Sequence, residues 1–419
     1  MSLAGLTPMH FAVLPISALA FVALLTIIVF FHEYGHFAIA RLFGVRVEVF
    51  SIGFGKVLWR WTDRKGTEWR ISLIPLGGFV KFFGDANAAS QPREDLDEKD
   101  GGPGTTQFPR PGDAPTAMTP AEKKVCFHYK PVGVRAAVVS AGPVANFILA
   151  IVIFWGLFWT FGRTVLAPII ATVTPNSAAA EAGLQPGDRI VSVDGQDISE
   201  FDELRPIITI SAGETLNLVV ERSGERVSIK ATPRREETKD AFGNPVKTGM
   251  LGIGGDRNAY SFQRFTALEA LREAGQQVWS ILKTTVKFLG RLILGKEDAS
   301  QLGGPLKMAQ YAGQAAMSGF DAEGYAEPPG FWTMLKVSLT TFINLAAVVS
   351  VSIGFLNLLP VPVLDGGHLL YYGYEAVAGK PLGARAQAMG FRVGLVLLAS
   401  LMLFVTWNDI NNIVTRGLG

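Results

Sequence analysis

Four long apolar runs constrain this chain more than any other feature of its sequence. They cover residues 11–40, 134–161, 331–359 and 391–407. A helix needs roughly 20 apolar residues to cross the hydrocarbon core of a bilayer, and each run approaches or exceeds that length. With 49% hydrophobic and only 18% charged residues, the chain is also too apolar for an ordinary soluble protein. The sequence therefore predicts a polytopic α-helical membrane protein with about four transmembrane helices.

Basic residues in the short loops predict the orientation of the chain. They are dense just after the first run, from Arg41 to Arg70, and recur between the last two runs at Lys380 and Arg385. Because such residues mark the cytoplasmic side, both termini and residues 162–330 are expected on the periplasmic side of a bacterial inner membrane. The first run has no basic segment before it and no small-residue cleavage site, so we interpret it as a retained helix rather than a signal peptide.

Charge and cysteine content argue against two classes of site. The net charge is only +2 and the basic residues form no dense cluster, so the sequence does not predict nucleic-acid binding. Cys126 is the single cysteine, which leaves no internal disulfide and no thiolate metal site. We interpret Cys126 as an incidental thiol.

Two histidines and a glutamate interrupt the first run, in His32-Glu33-Tyr34-Gly35-His36. Such groups are costly at bilayer depth and persist there mainly when they are paired or functional. On a helix, His32 and His36 lie one turn apart on one face, so both can bind one metal ion, while Glu33 beside them can accept a proton from water. This spacing predicts a metal-dependent hydrolase. Histidines that meet lipid headgroups at a helix end are the alternative, which explains neither the spacing nor Glu33.

A third ligand is needed, because a catalytic zinc usually takes three protein ligands and keeps a fourth position for water. The third run ends in Asn357-Leu358-Leu359-Pro360-Val361-Pro362-Val363-Leu364-Asp365-Gly366-Gly367-His368. Two prolines break the helix there and two glycines allow close backbone approach. Asp365 and His36 are both expected on the cytoplasmic side, so they can meet. Alone, the segment could be a turn with an Asp cap, and another divalent ion could replace zinc, although chemistry without redox favours zinc.

The two motifs together resemble the signature of the site-2 proteases, the intramembrane zinc metalloproteases of family M50. The resemblance extends to Ser72-Leu73-Ile74-Pro75-Leu76-Gly77-Gly78-Phe79-Val80-Lys81, Ala141-Gly142-Pro143-Val144-Ala145-Asn146 and Gly304-Pro305. Together these segments resemble the bacterial regulator-of-sigma-E branch of the family. The resemblance implies that His32, His36 and Asp365 bind one Zn²⁺ per chain and that Glu33 is the catalytic base. It also implies a set of substrate-binding residues: Asn357, Pro360, Pro362, Gly77, Gly78 and Phe79.

Residues 70–82 combine β-favouring residues with a Pro-Leu-Gly-Gly turn, which indicates strand rather than helix. The resemblance implies a membrane-associated β-hairpin near residues 71–81 that pairs with the unwound substrate. Strand pairing is physically reasonable, since a helical substrate must unwind before cleavage and loses backbone hydrogen bonds as it does so. An ordinary amphipathic cytoplasmic hairpin is the alternative.

A β-rich part follows the second run, with strands expected at residues 169–173, 189–193, 216–221 and 227–231. Residues 175–190, followed by Val193-Asp194-Gly195, resemble bacterial PDZ domains, which bind extended chain ends by strand addition. The sequence contains one convincing copy, whereas enterobacterial relatives carry two in tandem. Such a domain could present substrate or exclude partners by its bulk.

The predicted organisation has eight parts. They are a first transmembrane helix with HExxH (1–44), a cytoplasmic β-hairpin region (45–84), a flexible cytoplasmic insert (85–130), a second transmembrane helix (131–162), an inserted periplasmic α+β PDZ-like domain (163–236), a periplasmic linker with membrane-surface helices (237–330), a third transmembrane helix with the LDGGH motif (331–368), and a cytoplasmic loop with the fourth helix (369–419). A soluble spacer helix is the alternative for residues 267–294, where apolar and charged residues alternate at helical spacing.

The expected function is regulated intramembrane proteolysis. The resemblance implies single-pass transmembrane substrates, such as anti-sigma factors already cut outside the membrane and remnant signal peptides. The expected partners are these substrates and the lipid bilayer. Two other functions remain open: a catalytically silent scaffold that uses its PDZ-like domain, and a transporter, which four spans without an internal repeat disfavour.

Overall fold

A computed structural model describes residues 8–85, 118–239, 245–256, 260–297, 302–320 and 329–416. The helices are α1 (Pro8–Leu42), α2 (Pro120–Val125), α3 (Val132–Phe161), α4 (Ala178–Ala182), α5 (Phe201–Thr209), α6 (Ala267–Ile293), α7 (Pro305–Met317), α8 (Phe331–Asn357), α9 (Asp365–Ala378) and α10 (Ala384–Arg416), with a 3₁₀ turn at Phe127–Tyr129. The strands are β1 (Val47–Thr62), β2 (Glu68–Phe82), β3 (Arg163–Leu166), β4 (Ile170–Val173), β5 (Arg189–Val193), β6 (Gln196–Asp197), β7 (Leu216–Arg222), β8 (Glu225–Ala231), β9 (Arg234–Lys239), β10 (Pro245–Met250), β11 (Ile253–Gly255) and β12 (Tyr260–Gln263).

Four of the described helices are long and apolar enough to cross a membrane. The qualifying segments are Pro15–Leu42, Val132–Phe161, Phe331–Asn357 and Arg385–Asn411. They coincide with the four apolar runs and fit a membrane protein. The third helix ends earlier than the apolar run that predicted it, because the prolines at 360 and 362 disfavour helical backbone in the residues before them.

The chain divides into two compact units. The first contains Met1–Ala150 with Leu345–Phe404, and the second contains Ile151–Asn344 with Val405–Gly419. In the first unit, α1 and α3 approach each other closely at Gly35. A Cβ atom there would overlap the carbonyl oxygen of Ala141 and lie 2.7 Å from Cβ of Ala145. A small residue at this position therefore lets the two backbones come together, as is common between membrane helices.

The β-hairpin of the first unit is formed by β1 and β2, which pair in antiparallel fashion. The connecting turn is at Asp63–Thr67, where Oδ1 of Asp63 accepts the N–H groups of Lys65 at 2.9 Å and Thr67 at 3.1 Å. The predicted turn at Pro-Leu-Gly-Gly is instead a bend inside β2. Gly77 has a φ of 122° there, and a Cβ atom would overlap the Phe54 ring.

Because both strands bend, Ile52 of β1 lies between Ile71 and Gly78 of β2. The first part of β1 is thus covered on both sides, and the last part of β2 lies at an edge of the sheet. The hairpin packs on α1 through a buried apolar cluster that includes Phe37, Phe50 and Phe127. This packing brings the β2 edge to the helix that carries the HExxH motif.

Part of the predicted flexible insert is packed. Of residues 85–130 the structure describes 85 and 118–130, so the rest of that prediction lies outside the described residues. Helix α2 begins with a capping box between Thr119 and Glu122. Phe127 is 1% exposed and belongs to the core of the first unit, while Nε2 of His128 is 2.9 Å from Oδ1 of the buried Asp85.

The second unit contains the β-rich part. A four-stranded sheet has the order β6-β5-β7-β8, and β9–β10, β4–β11 and β3–β12 form two-stranded pairs. Strands β4, β5, β7 and β8 lie where the sequence predicts strands. They enclose an apolar core with α4 and α5 that includes Ile190, Leu204 and Leu218. The β-structure extends beyond the predicted boundary at residue 236, to Gln263, because strands that are distant in sequence pair back onto β3 and β4. The PDZ-like assignment stays a prediction.

Helix α6 occupies the segment that was predicted to be helical. It starts with a capping box between Thr266 and Glu269 and buries one face through Ala270, Ala274 and Val278. Large apolar side chains lie exposed along it, and they include Leu268, Trp279 and Ile293. The expected position at the membrane surface stays a prediction.

A buried carboxylate in the second unit leads to a prediction about stability. Asp188 is 1% exposed and accepts two hydrogen bonds from the Arg222 guanidinium, at 2.7 and 2.8 Å. These bonds, helped by the Gln185 N–H, hold the pKa of Asp188 below its ordinary value. A carboxyl with a lowered folded-state pKa stabilises the fold above its unfolded pKa of about 3.9, and this stabilisation is lost as the pH falls further.

We therefore expect the unfolding free energy of this unit to fall as the pH drops below about 4, towards the lowered pKa of Asp188 in the folded state. Asp188→Asn should lower it by about 2 kcal/mol at neutral pH, since hydrogen bonds to a charged group are lost, and should flatten its dependence below about pH 4. Urea unfolding of the full chain, followed by pulse proteolysis, measures both effects. An unchanged acid dependence in Asp188→Asn would contradict the assignment.

Candidate metal centre

Helix α1 brings His32 and His36 to one point. They are one helical turn apart, both are buried, and their Nε2 atoms are 3.2 Å from each other. Their rings meet edge to face, with centroids 4.8 Å apart. The two histidines of the HExxH pattern therefore present two nitrogen atoms that could bind the same metal ion.

Asp365 reaches the same position from the start of α9. Between α8 and α9 the chain makes a tight turn, so that the first residues of α9 lie close to the backbone of residues 358–361. A Cβ atom at Gly366 would overlap the carbonyl oxygens of Leu358 and Leu359, and one at Gly367 would overlap that of Val361. The two glycines therefore allow the turn that places Oδ2 of Asp365 3.1 Å from Nε2 of His32 and 3.5 Å from Nε2 of His36.

The three side chains fit a tetrahedral zinc ion. Zinc–nitrogen and zinc–oxygen bonds of roughly 2.0–2.1 Å separate two ligand atoms by about 3.3 Å in tetrahedral geometry. The three observed separations are 3.1, 3.2 and 3.5 Å. Oδ2 of Asp365 is also buried, and apart from the two imidazoles it has no hydrogen-bond partner among the described residues. Two imidazoles and one carboxylate are a donor set that suits catalytic zinc.

The outer nitrogens of both imidazoles are held by α3. Nδ1 of His36 is 2.8 Å from the carbonyl oxygen of Val138, to which it donates a hydrogen bond. That bond leaves the lone pair of His36 on Nε2, which faces the other ligands. Nδ1 of His32 is 3.3 Å from the side-chain amide of Asn146. Helix α3 therefore orients both histidines of α1.

Glu33 and the three ligands line one cavity of about 260 Å³. The Glu33 carboxylate accepts a hydrogen bond from the backbone N–H of Val80, at the β2 edge. The remaining lining residues are mostly apolar: Gly78, Phe79, Phe82, Phe127, Val139, Val363, His368, Tyr372 and Phe391. The cavity thus combines the Glu33 carboxylate, three side chains that could hold a metal ion, and a mostly apolar wall.

The predicted substrate-binding residues divide into two groups. Gly78 and Phe79 line the cavity. Gly77, Asn357, Pro360 and Pro362 are not among the lining residues that the structure describes. Pro362 packs against α10 instead: a Cβ atom on Gly394 would lie 3.3 Å from its Cδ. The roles of all six residues in substrate binding stay predictions.

Sequence reasoning assigned no role at the centre to several residues, although one of them, Asn146, ends a segment that carries the family resemblance. Asn146, Phe127 and Phe391 belong to segments that lie far from both motifs along the chain. A signal existed for Asn146, because a buried amide within a long apolar run is costly unless it has a partner. The apolar residues carried no comparable signal, since phenylalanines are frequent throughout the chain.

Comparisons with known proteins agree with this geometry. The model of peptidase family M50 matches residues 20–401. A protein of Agrobacterium fabrum that is named as a zinc metalloprotease is 42% identical over 94% of this chain and 95% of its own length. The metalloprotease MmpA of Caulobacter vibrioides is 40% identical over 92% of this chain and 93% of its own length. A Rickettsia conorii protein, also named as a zinc metalloprotease, is 31% identical over 95% of this chain.

These matches cover nearly the whole chain, including both motifs and the helices that carry them. They confirm the prediction of a peptidase. The names of the relatives, together with the cluster of His32, His36 and Asp365, confirm the prediction of zinc as the cofactor. The chain belongs to peptidase family M50.

Proposed function

We propose that this protein is a zinc-dependent intramembrane endopeptidase that cleaves single-pass transmembrane proteins. One observation supports this proposal above all others. The possible metal ligands and a further carboxylate, that of Glu33, line a single cavity, and two of the ligands belong to a helix that is apolar enough to span a membrane. Hydrolysis at that position would act on peptide bonds inside or next to the bilayer.

The residues of the centre divide the chemical work. His32, His36 and Asp365 would hold zinc, which supplies Lewis acidity that activates water and polarises a carbonyl group. Glu33 accepts the proton of the attacking water and then transfers it to the leaving amine. The Val80 N–H orients the carboxylate of Glu33. The apolar side chains of the lining would limit the access of bulk water to this carboxylate.

The β2 edge is the proposed docking strand for the substrate. Gly78 and Phe79 lie on both the cavity and this edge. A transmembrane helix exposes no free peptide groups, so the scissile segment must unwind and find new backbone partners. An extended segment added beside residues 77–80 would gain those hydrogen bonds and pass the carboxylate of Glu33. Asn357 would help to hold this strand or the turn that carries Asp365.

The proposal includes orientation and partners. Basic loops after α1 and between α9 and α10 favour a cytoplasmic position for the catalytic centre in a bacterial inner membrane, with both termini and the PDZ-like domain in the periplasm. The motifs favour the regulator-of-sigma-E branch, and thus anti-sigma factors and remnant signal peptides as substrates. The PDZ-like domain would bind an extended chain end or exclude substrates that still carry a large outer domain.

Cleavage of a model single-pass protein in proteoliposomes tests the function. We expect a cut within or next to the apolar segment of the substrate, located by mass spectrometry. Cleavage should stop when zinc is removed with a chelator and return when zinc is added. A protein that binds zinc but cleaves no member of a panel of single-pass substrates would support the scaffold function instead. A cut only in the soluble part of the substrate would also contradict the proposal.

A further inference from the structure

Asn146 is a buried amide in the middle of an apolar helix. Its side chain is 0% exposed. Its Nδ2 is 3.3 Å from Nδ1 of His32, and its Oδ1 has no hydrogen-bond partner among the residues that the structure describes. Burial of an amide with half of its hydrogen-bonding capacity unused is costly. Such a residue calls for an explanation beyond packing.

Helix α8 contacts Asn146 through Ser350 and Gly354. Oγ of Ser350 donates a hydrogen bond to the carbonyl oxygen of Asn146 at 2.9 Å. A Cβ atom on Gly354 would lie 3.2 Å from Cβ of Asn146 and 3.0 Å from the carbonyl oxygen of Pro143. The backbone of α3 is therefore fitted closely against α8 at this point, and the Asn146 side chain is held beside the imidazole.

The outer nitrogen of a metal-bound imidazole requires a particular kind of hydrogen-bond partner. A neutral histidine that offers the lone pair of Nε2 carries its proton on Nδ1, and this N–H needs an acceptor. For His36 the acceptor is the Val138 carbonyl. For His32 the neighbouring group is the Asn146 amide, whose oxygen and nitrogen exchange places when the amide plane turns by a half rotation. With the oxygen turned towards His32, the amide accepts the Nδ1 proton.

We propose that Asn146 is a positioning residue that selects the Nδ1–H tautomer of His32 and so directs the lone pair of Nε2 towards the zinc position. The proposal deepens the proposed function, since it rests on the zinc site, but it does not require that the protein cleave any particular substrate. In this proposal the backbone carbonyl of Val138 orients His36, and the side chain of Asn146 orients His32. Only the side chain can be removed by substitution.

Two substitutions at this position separate hydrogen bonding from packing. Asn146→Leu keeps a similar size and removes the acceptor, whereas Asn146→Asp keeps an acceptor and reproduces a carboxylate–histidine–zinc arrangement. Zinc affinity of the purified full-length proteins in detergent is measured by competition with a chelator. We expect a 10- to 100-fold weaker affinity for Asn146→Leu, which is roughly the range for lost outer-shell partners. Asn146→Asp should remain within about threefold of the parent protein.

Thermal unfolding of the zinc-free proteins gives the readout for a purely structural role. Equal zinc affinity in Asn146→Leu and the parent would overturn the proposal, and so would an equal loss of affinity in both variants. Nitrogen-15 spectra of the zinc-bound parent test it without any substitution, and the five histidines of the chain make the ring signals assignable. A His32 ring protonated on Nε2 would overturn the proposal. If zinc binds as expected but no substrate is cleaved, the proposed function fails while this one stands.

Discussion

Glu33→Gln should abolish peptide hydrolysis and leave zinc bound. Glutamine has nearly the shape of glutamate, so it can occupy the same position beside Gly78 and the three metal ligands. Its amide cannot accept a proton, and the water that attacks the peptide bond then has no base. General-base catalysis contributes roughly 10²- to 10⁴-fold, and we expect a loss in kcat within this range, because Asp365 is the one other carboxylate among the described lining residues and it belongs to the metal-ligand set.

The measurement is cleavage of a single-pass substrate in proteoliposomes, with bound zinc determined on the same samples. The matched control is Asp365→Ala, which removes a ligand and should lose both zinc and turnover. Retained cleavage by Glu33→Gln, within about tenfold of the parent, would contradict the role of Glu33. Loss of zinc in Glu33→Gln would instead indicate that this residue helps to build the metal site.

Gly142→Ala should remove zinc binding although it adds a single methyl group. Gly142 lies on α3 directly opposite the two histidines. A Cβ atom there would overlap Nε2 of His36, and would lie 2.5 Å from Cε1 of His36 and 2.9 Å from Cε1 of His32. Both imidazoles must then shift, which disturbs the convergence of their Nε2 atoms with Asp365. Since changes to an outer-shell contact alone cost 10- to 100-fold in metal affinity, displacement of two ligands should cost at least about 100-fold.

The same helix offers a matched control for this prediction. At Gly156 of α3, a Cβ atom meets nothing within 4 Å among the described atoms. Gly156→Ala should therefore bind zinc like the parent protein, and alanine should favour the helix slightly. Chelator competition measures both variants. If Gly142→Ala binds zinc as tightly as Gly156→Ala, the two imidazoles do not lie against α3 as described.

The metal centre was predictable where the required geometry is local. An apolar run predicts α1, and four-residue spacing places His32 and His36 on one face of any helix. The turn that carries Asp365 was also readable, because its prolines and glycines constrain the backbone directly. The shape of the hairpin was harder to predict from the sequence. Its turn was predicted at residues 75–78, yet the connection lies at Asp63–Thr67, because strand pairing over long distances decides which irregularity is a turn and which is a bend.

The sequence by itself determined the apolar helices, the pair of histidines, the adjacent carboxylate of Glu33 and the candidate for a third ligand, Asp365. Only the tertiary structure decided that Asn146 and the Val138 carbonyl meet the outer nitrogens of those histidines. These contacts depend on the register between α1 and α3, which Gly35 and Gly142 allow by letting the helices approach. The register results from packing between helices that are far apart in sequence, so no local pattern encodes it.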